Sequence, residues 1–150
     1  MNVLVCVKRV PAPGAKIPLT DDNADIDTRF LGFTIGPHEE CAVEEAVRIV
    51  EQHGGSSTVL TVGPAEADEQ LRYAMSMGID NGVHVMIDET DWEPQATATA
   101  MVDAIRALNE EGRTFDLILF GNESADGGNY QIGIRVAFAL GLPIVGGIKG

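Results

Sequence analysis

The chain has 150 residues, 45% of them apolar and 22% charged, which suits one domain with a continuous core and is too apolar for a disordered chain. Ten Lys and Arg stand against 23 Asp and Glu, a net charge of −13, which argues against nucleic-acid binding through a basic face. No apolar run approaches the length of a membrane span, so membrane insertion is not expected.

The acidity reads as a well-solvated surface, or alternatively as halophilic adaptation, where salt screens the self-repulsion. The first strand is expected at Asn2–Val7, a continuous apolar run of the kind buried on both faces of a parallel sheet, ended by Pro11, Pro13 and Gly14. Met1 leads straight into it without a basic n-region, so no signal peptide is expected and the expected location is cytoplasmic. Lys16–Leu19 and Ile26–Phe33 flank the turn Asp21–Asp25 and read as a hairpin or a long excursion. Asp21, Asn23 and Asp25 imitate the start of a calcium loop. Ile26 stands in place of its glycine and Gly32 in place of its bidentate glutamate, so the reading is a solvated turn.

Gly36-Pro37 opens a helix with Glu39 and Glu40 at its positive end. Its apolar stripe is Ala42, Val43, Ala46, Val47 and Val50, and Gly54-Gly55 stops it. The unit then recurs. A strand at Ser57–Val62 is followed by a helix restarted by Pro64, with Ala67, Leu71, Ala74 and Met75 inward and Gly78 at its end. A third strand, Gly82–Ile87, and the turn-rich Asp88–Pro94 lead to a helix that buries Ala98, Met101, Val102, Ile105 and Leu108 and stops at Gly112. The fourth strand is Phe115–Phe120. The loop Gly121–Asn129 runs into a helix near Tyr130–Leu140, and Gly141-Leu142-Pro143 introduces a last apolar run, Ile144-Val145.

Strands alternating with helices predict an α/β fold with a doubly wound parallel sheet. Ligands of such folds sit beyond the carboxyl ends of the strands, where strand order reverses. If the first and fourth strands are neighbours, that point lies between Cys6–Pro13 and Gly121–Tyr130.

Several chemistries are argued against by missing motifs. There is no P-loop, no G-x-G-x-x-G after the first strand and no G-x-S-x-G elbow. Cys6 and Cys41 form no C-x-x-C pair and read as small packing residues, while His38, His53 and His84 have no ligand spacing, so no metal site is expected. The informative stretch is Gly121-Asn122-Glu123-Ser124-Ala125-Asp126-Gly127-Gly128-Asn129-Tyr130-Gln131-Ile132-Gly133. It follows a strand and opens a helix. Gly121, Gly127 and Gly128 allow close backbone approach and positive φ, amides near a helix start can face an anion, and Ser124, Asp126, Asn129 and Gln131 add side-chain groups. A plain turn is the competing reading. Glu123 and Asp126 would repel a phosphate, so Asp126 is expected on ribose hydroxyls or bracing its own loop amides, with Gln131 donating in the first helical turn.

The chain resembles the β subunit of electron-transfer flavoprotein, the FixA-like family. Val3-Leu4-Val5-Cys6-Val7-Lys8-Arg9-Val10-Pro11 is similar to that family's first strand, and Pro37-His38-Glu39-Glu40-Cys41-Ala42-Val43-Glu44-Glu45-Ala46 to its N-P-F-x-E-x-A-V-E-E-A segment. Leu71–Asp80 resembles its L-R-x-A-L-A-M-G-A-D pattern. Gly121, Asp126, Gln131 and Gly133 fall in register with its loop G-x-x-x-x-D-x-x-x-x-Q-x-G. Gly36 departs from the family's asparagine, Glu123 from its glutamine, and Gly127-Gly128-Asn129-Tyr130 from its more acidic versions.

The resemblance implies an adenine-nucleotide-binding, HUP-like or Rossmann-like three-layer domain over residues 1–150. It implies AMP, or a second FAD in electron-bifurcating members, held by Cys6, Gly36, Pro37, His38, Glu39, Val62 and Gly121–Ile132. It also implies a redox FAD shared with an α subunit in a heterodimer, with flavin dehydrogenases as donors and a membrane quinone reductase as acceptor. No residue would carry catalysis, because the cofactor supplies the chemistry. Family members run past residue 150, so the arm that reaches the α subunit is expected beyond this chain. The rival readings are a stress-type nucleotide-binding module, whose G-x-x-G-x9-G-[ST] loop is missing, an adenylating enzyme, whose S-G-G-x-D-S-like loop is missing, and a purely structural α/β interaction domain.

Overall fold

The strand Asn2–Val7 (β1) sends Val3, Val5 and Val7 to one face of a sheet and Leu4 and Cys6 to the other, and all five are buried. A strand with two apolar faces needs helices on both sides, and that requirement organises the molecule. A computed structural model describes residues 1–12, 14, 16–88 and 92–148. Pro13, part of the turn Asp88–Pro94, Lys149 and Gly150 lie outside the described residues.

After β1 come Val10–Pro11 (β2), Phe33–Thr34 (β3), the helix Pro37–His53 (α1) and the strand Ser56–Gly63 (β4). The helix Asp68–Ser76 (α2), the strand Asn81–Met86 (β5), the helix Pro94–Glu110 (α3), the strand Leu117–Phe120 (β6) and the helix Ile132–Leu140 (α4) complete the order. The main sheet is parallel with order β5-β4-β1-β6. Val3 to Cys6 pair with Leu117 to Phe120 on one side, and Asn2 to Val7 with Ser56 to Thr61 on the other. The chain thus steps outward from β1 to β5, then returns across the sheet to lay β6 beside β1. The expected neighbours are in place, and strand order reverses between them.

The two cores follow from β1's alternation. Under one face, Ala42, Val43 and Ala46 of α1 and Leu71 and Ala74 of α2 pack on Val3, Val5, Val7 and Val59. Under the other, Ala98, Met101, Val102, Ile105 and Leu108 of α3 and Val136 of α4 pack on Leu4, Cys6 and Leu60. Pro37 sits in the first turn of α1, and Gly54 at φ 70° ends it.

One open alternative is resolved and several expectations are corrected. The segment between β1 and α1 is an excursion rather than a full hairpin: Leu19 and Ile26 make one antiparallel bridge, and its base is the short β2–β3 ribbon. With only isolated pairs to make, the polar turn holds itself through side chains, Asp22 Oδ1 accepting from the Ala24 amide at 3.2 Å. Met75 is exposed on α2, and the inward position is taken by Gln70, which is fully buried. Cys6 is buried as expected, but Cys41 is exposed on α1. The last helix starts at Ile132 rather than Tyr130, with Gln131 as its N-cap rather than in its first turn. The last apolar run, Ile144 and Val145, forms no strand and is exposed, which leaves β6 as an edge of the sheet among the described residues.

Candidate functional site

The carboxyl ends of all four parallel strands open into one cleft. Lys8 and Arg9 follow β1, Pro64 follows β4, Ile87 and Trp92 follow β5, and Gly121 to Ser124 follow β6. Its floor is made by Cys6, Val62 and Phe120 at the strand ends, with Glu39 entering from α1 and Met101 from α3. This is where an open α/β sheet places a ligand.

The sequence-derived candidates divide into two sets. Cys6, Glu39, Val62, Gly121, Asn122, Glu123, Ser124, Asn129, Tyr130, Gln131 and Ile132 are brought together on the cleft wall. Gly36, Pro37, His38, Ala125, Asp126, Gly127 and Gly128 are not on that wall. They stand behind it. His38 Nε2 lies 3.8 Å from Glu123 Oε1, and a Cβ on Gly36 would overlap Glu39 Oε2 and come within 3.6 Å of the Ala125 Cβ.

Each glycine in this region has its own reason. Gly128 has φ 57°, the left-handed region that a side chain strains. Gly121 is required by close packing instead: a Cβ there would sit 2.9 Å from Glu39 Cγ and 3.1 Å from its amide nitrogen. The close approach expected of these glycines toward a ligand is made, at Gly121, toward Glu39. Tyr130 has φ 54° although it is not glycine, a strained backbone of the kind stored at functional sites. The Glu123 carboxylate beside its hydroxyl raises the phenol's pKa.

The charges are arranged so that the loop's acidity is partly cancelled. Lys8 Nζ donates to Asp126 Oδ2 at 2.6 Å, and the Gly127 amide donates to Asp126 Oδ1 at 2.6 Å. The loop brace expected of Asp126 is in place. Burial alone would lift the Asp126 pKa. Hydrogen bonds and charge from Lys8, with Ser124 and the Gly127 amide, outweigh that and leave it below the ordinary value. Gln131 gives its Oε1 to Arg135 Nε and Nη2, at 3.1 and 2.8 Å, which leaves its amide NH2 as the end available to the cleft.

Two buried polar atoms on the wall have no protein partner, Glu39 Oε2 and Arg9 Nε. Glu39 is 4% exposed, and burial raises its pKa. The Arg9 guanidinium carbon lies 3.3 Å from the centroid of the Phe33 ring, so the β2–β3 ribbon holds the arginine against the cleft. Unpaired buried polar atoms are costly, and in a cleft they mark a place for a polar ligand.

Sequence reasoning missed Lys8, Arg9, Pro64, Ile87, Trp92, Thr97 and Met101 as wall residues. Lys8 and Arg9 carried a signal, two cations directly after the first strand of an acidic chain. The β5–α3 side carried none, because apolar residues after an outer strand look like core. Among the described residues, no group of three or more His, Cys, Asp or Glu is disposed to hold a metal ion.

Fold and cleft together define a three-layer α/β domain with an open cleft at the switch point of a parallel sheet. The Electron transfer flavoprotein domain matches residues 26–149, and the chain belongs to that family. The chain is 36% identical to the electron transfer flavoprotein subunit beta of Bacillus subtilis over 145 residues, 97% of this chain and 54% of that protein. It is 37% identical to the protein of the same name from Syntrophomonas wolfei over 146 residues, 97% of this chain and 55% of that one. Protein FixA of Azorhizobium caulinodans is 33% identical over 144 residues, 95% and 50%. The chain therefore spans about half the length of the curated relatives it matches. No helix among the described residues is long and apolar enough to cross a membrane.

Proposed function

We propose that this chain is the nucleotide-binding part of an electron-transfer flavoprotein β subunit, holding AMP or FAD in the cleft and carrying no catalytic residue of its own. The observation that carries the reading is the cleft's polarity. It has a lysine, a glycine-bearing loop and a helix start on the β1–β6 side, and apolar side chains on the β4–β5 side. A nucleotide has the same two-ended character, an anionic phosphate and a flat, largely apolar base. The unpartnered Glu39 Oε2 and Arg9 Nε supply an acceptor and a donor for the polar groups between those ends. These residues bind and orient; a bound flavin supplies the redox chemistry.

In this reading the assembled protein pairs with an α subunit, shares a redox FAD with it, and passes electrons from flavin dehydrogenases to a membrane quinone reductase, in the cytoplasm. The family of the chain and the names of its relatives support it. The decisive measurement is mass spectrometry of the nucleotide released on denaturing the purified complex. One FAD and one AMP per heterodimer fit simple electron transfer, and two FAD fit bifurcation. A complex that releases no adenine nucleotide overturns the proposal.

A further inference from the structure

We infer that Trp92 is the stacking platform for the base of the nucleotide, and that the ligand lies across the sheet with its phosphate at the β1–β6 end. The inference rests on the nucleotide reading above and specifies how the ligand sits. Trp92 precedes α3, is partly buried, and is the single tryptophan of these 150 residues. It lines the cleft together with Pro64, Ile87, Pro94, Thr97 and Met101, of which only Thr97 has a hydroxyl and none has a charge. The opposite wall carries Lys8, Asn129 and Gln131.

Strand order sets the distance between these ends. Trp92 follows β5 and Gly121 follows β6, and the sheet order β5-β4-β1-β6 puts three inter-strand steps between them, roughly 14 Å at the usual spacing. A nucleoside monophosphate, together with the indole stacked on its base and the groups that hold its phosphate, covers a span of that order. An indole face beside an apolar floor takes a flat heteroaromatic ring well, and base–aromatic stacking is tolerant of which ring it is. Reversing the ligand would put phosphate against Trp92 and Ile87, desolvating its charge with no cationic side chain among Pro64, Ile87, Trp92, Pro94, Thr97 and Met101 to offset it. The lysine at the β1–β6 end therefore favours one orientation.

The test uses the full-length protein, with its partner subunit if the two purify together, stripped of nucleotide. AMP is titrated by calorimetry into the wild type and into Trp92→Ala, Trp92→Leu and Trp92→Phe. In parallel, the emission difference between wild type and Trp92→Phe isolates the Trp92 signal during titration with AMP and with ribose 5-phosphate. Loss of one base stack predicts roughly ten-fold weaker AMP binding in the Ala and Leu variants, with Trp92→Phe within about three-fold of wild type. AMP should quench Trp92, and ribose 5-phosphate, which has no base, should not. Unchanged AMP affinity in Trp92→Leu together with unquenched Trp92 emission overturns the inference while leaving nucleotide binding intact. If neither AMP nor FAD binds the wild type, the nucleotide reading fails and this inference with it. The emission difference needs only Trp92→Phe to fold, so it stands even if Trp92→Ala or Trp92→Leu does not.

Discussion

Lys8 and Asp126, 118 positions apart in the chain, meet at 2.6 Å and tie the loop after β1 to the loop after β6 across the switch point of the sheet. The pair is partly exposed, so its direct contribution to stability is at most about 1 kcal/mol. Its larger consequence is local. It keeps a cation on the cleft wall and offsets the loop's negative charge near where a phosphate is proposed to sit. Lys8→Met is expected to weaken AMP binding about five-fold in calorimetry, with the loss shrinking at high salt. Asp126→Asn releases the lysine and loosens the Gly127 brace. Because the folded-state pKa of Asp126 lies below its unfolded value, the stability it contributes is present above the ordinary carboxylate range and is lost as pH falls through that depressed value. Acid denaturation of wild type and Asp126→Asn should therefore converge at the acid end.

Glu39 gives the opposite pH dependence. Burial raises its folded-state pKa, so the ionised form opposes folding, and the penalty grows as pH rises above the unfolded value. Glu39→Gln should be as stable as wild type in acid and more stable at neutral pH. Denaturant midpoints from about pH 4 to pH 8 measure the gap, and a gap that closes at neutral pH contradicts the assignment.

The packing around Glu39 predicts a graded pair of substitutions. Gly121→Ala presses on Glu39 Cγ and on its backbone amide, which cannot move away, and should cost about 1–3 kcal/mol. Gly36→Ala meets only the flexible carboxyl tip and should cost less. Adding Glu39→Ala should remove the Gly36→Ala penalty and only part of the Gly121→Ala penalty, as a thermal or chemical double-mutant cycle would read.

At Gly128 the expected outcome depends on backbone conformation. Gly128→Val forces a β-branched residue into the left-handed region, about 1–2 kcal/mol or more of strain, with its Cβ 3.3 Å from Glu123 Oε2. Gly128→Asn, which tolerates that region, should retain most of the stability and most of the nucleotide affinity. Gly128 stands behind the cleft wall, so the affinity lost in the Val variant should track loop stability rather than removal of a ligand contact.

The net charge of −13 predicts a salt response of its own. Unfolding free energy should rise from low to molar KCl as surface repulsion is screened, and a flat or falling series removes the halophilic reading.

The sequence by itself determined the elements and their inward faces wherever period and length were strong. Ala98, Met101, Val102, Ile105 and Leu108 are buried as their spacing predicts, and β1 falls on Asn2–Val7. The loop after the fourth strand was legible as a candidate because it lies between a strand and a helix and combines glycines with polar side chains. Tertiary structure decided what each loop residue faces. Nothing in the local sequence says that Asp126 finds Lys8, that Gly121 makes room for Glu39 rather than for a ligand, or that Trp92 joins the same cleft. Those relationships depend on strand order, which brings chain segments more than a hundred residues apart to one edge of the sheet. Periodicity reports which face of an element is apolar. It carries no information about which element lies next to it.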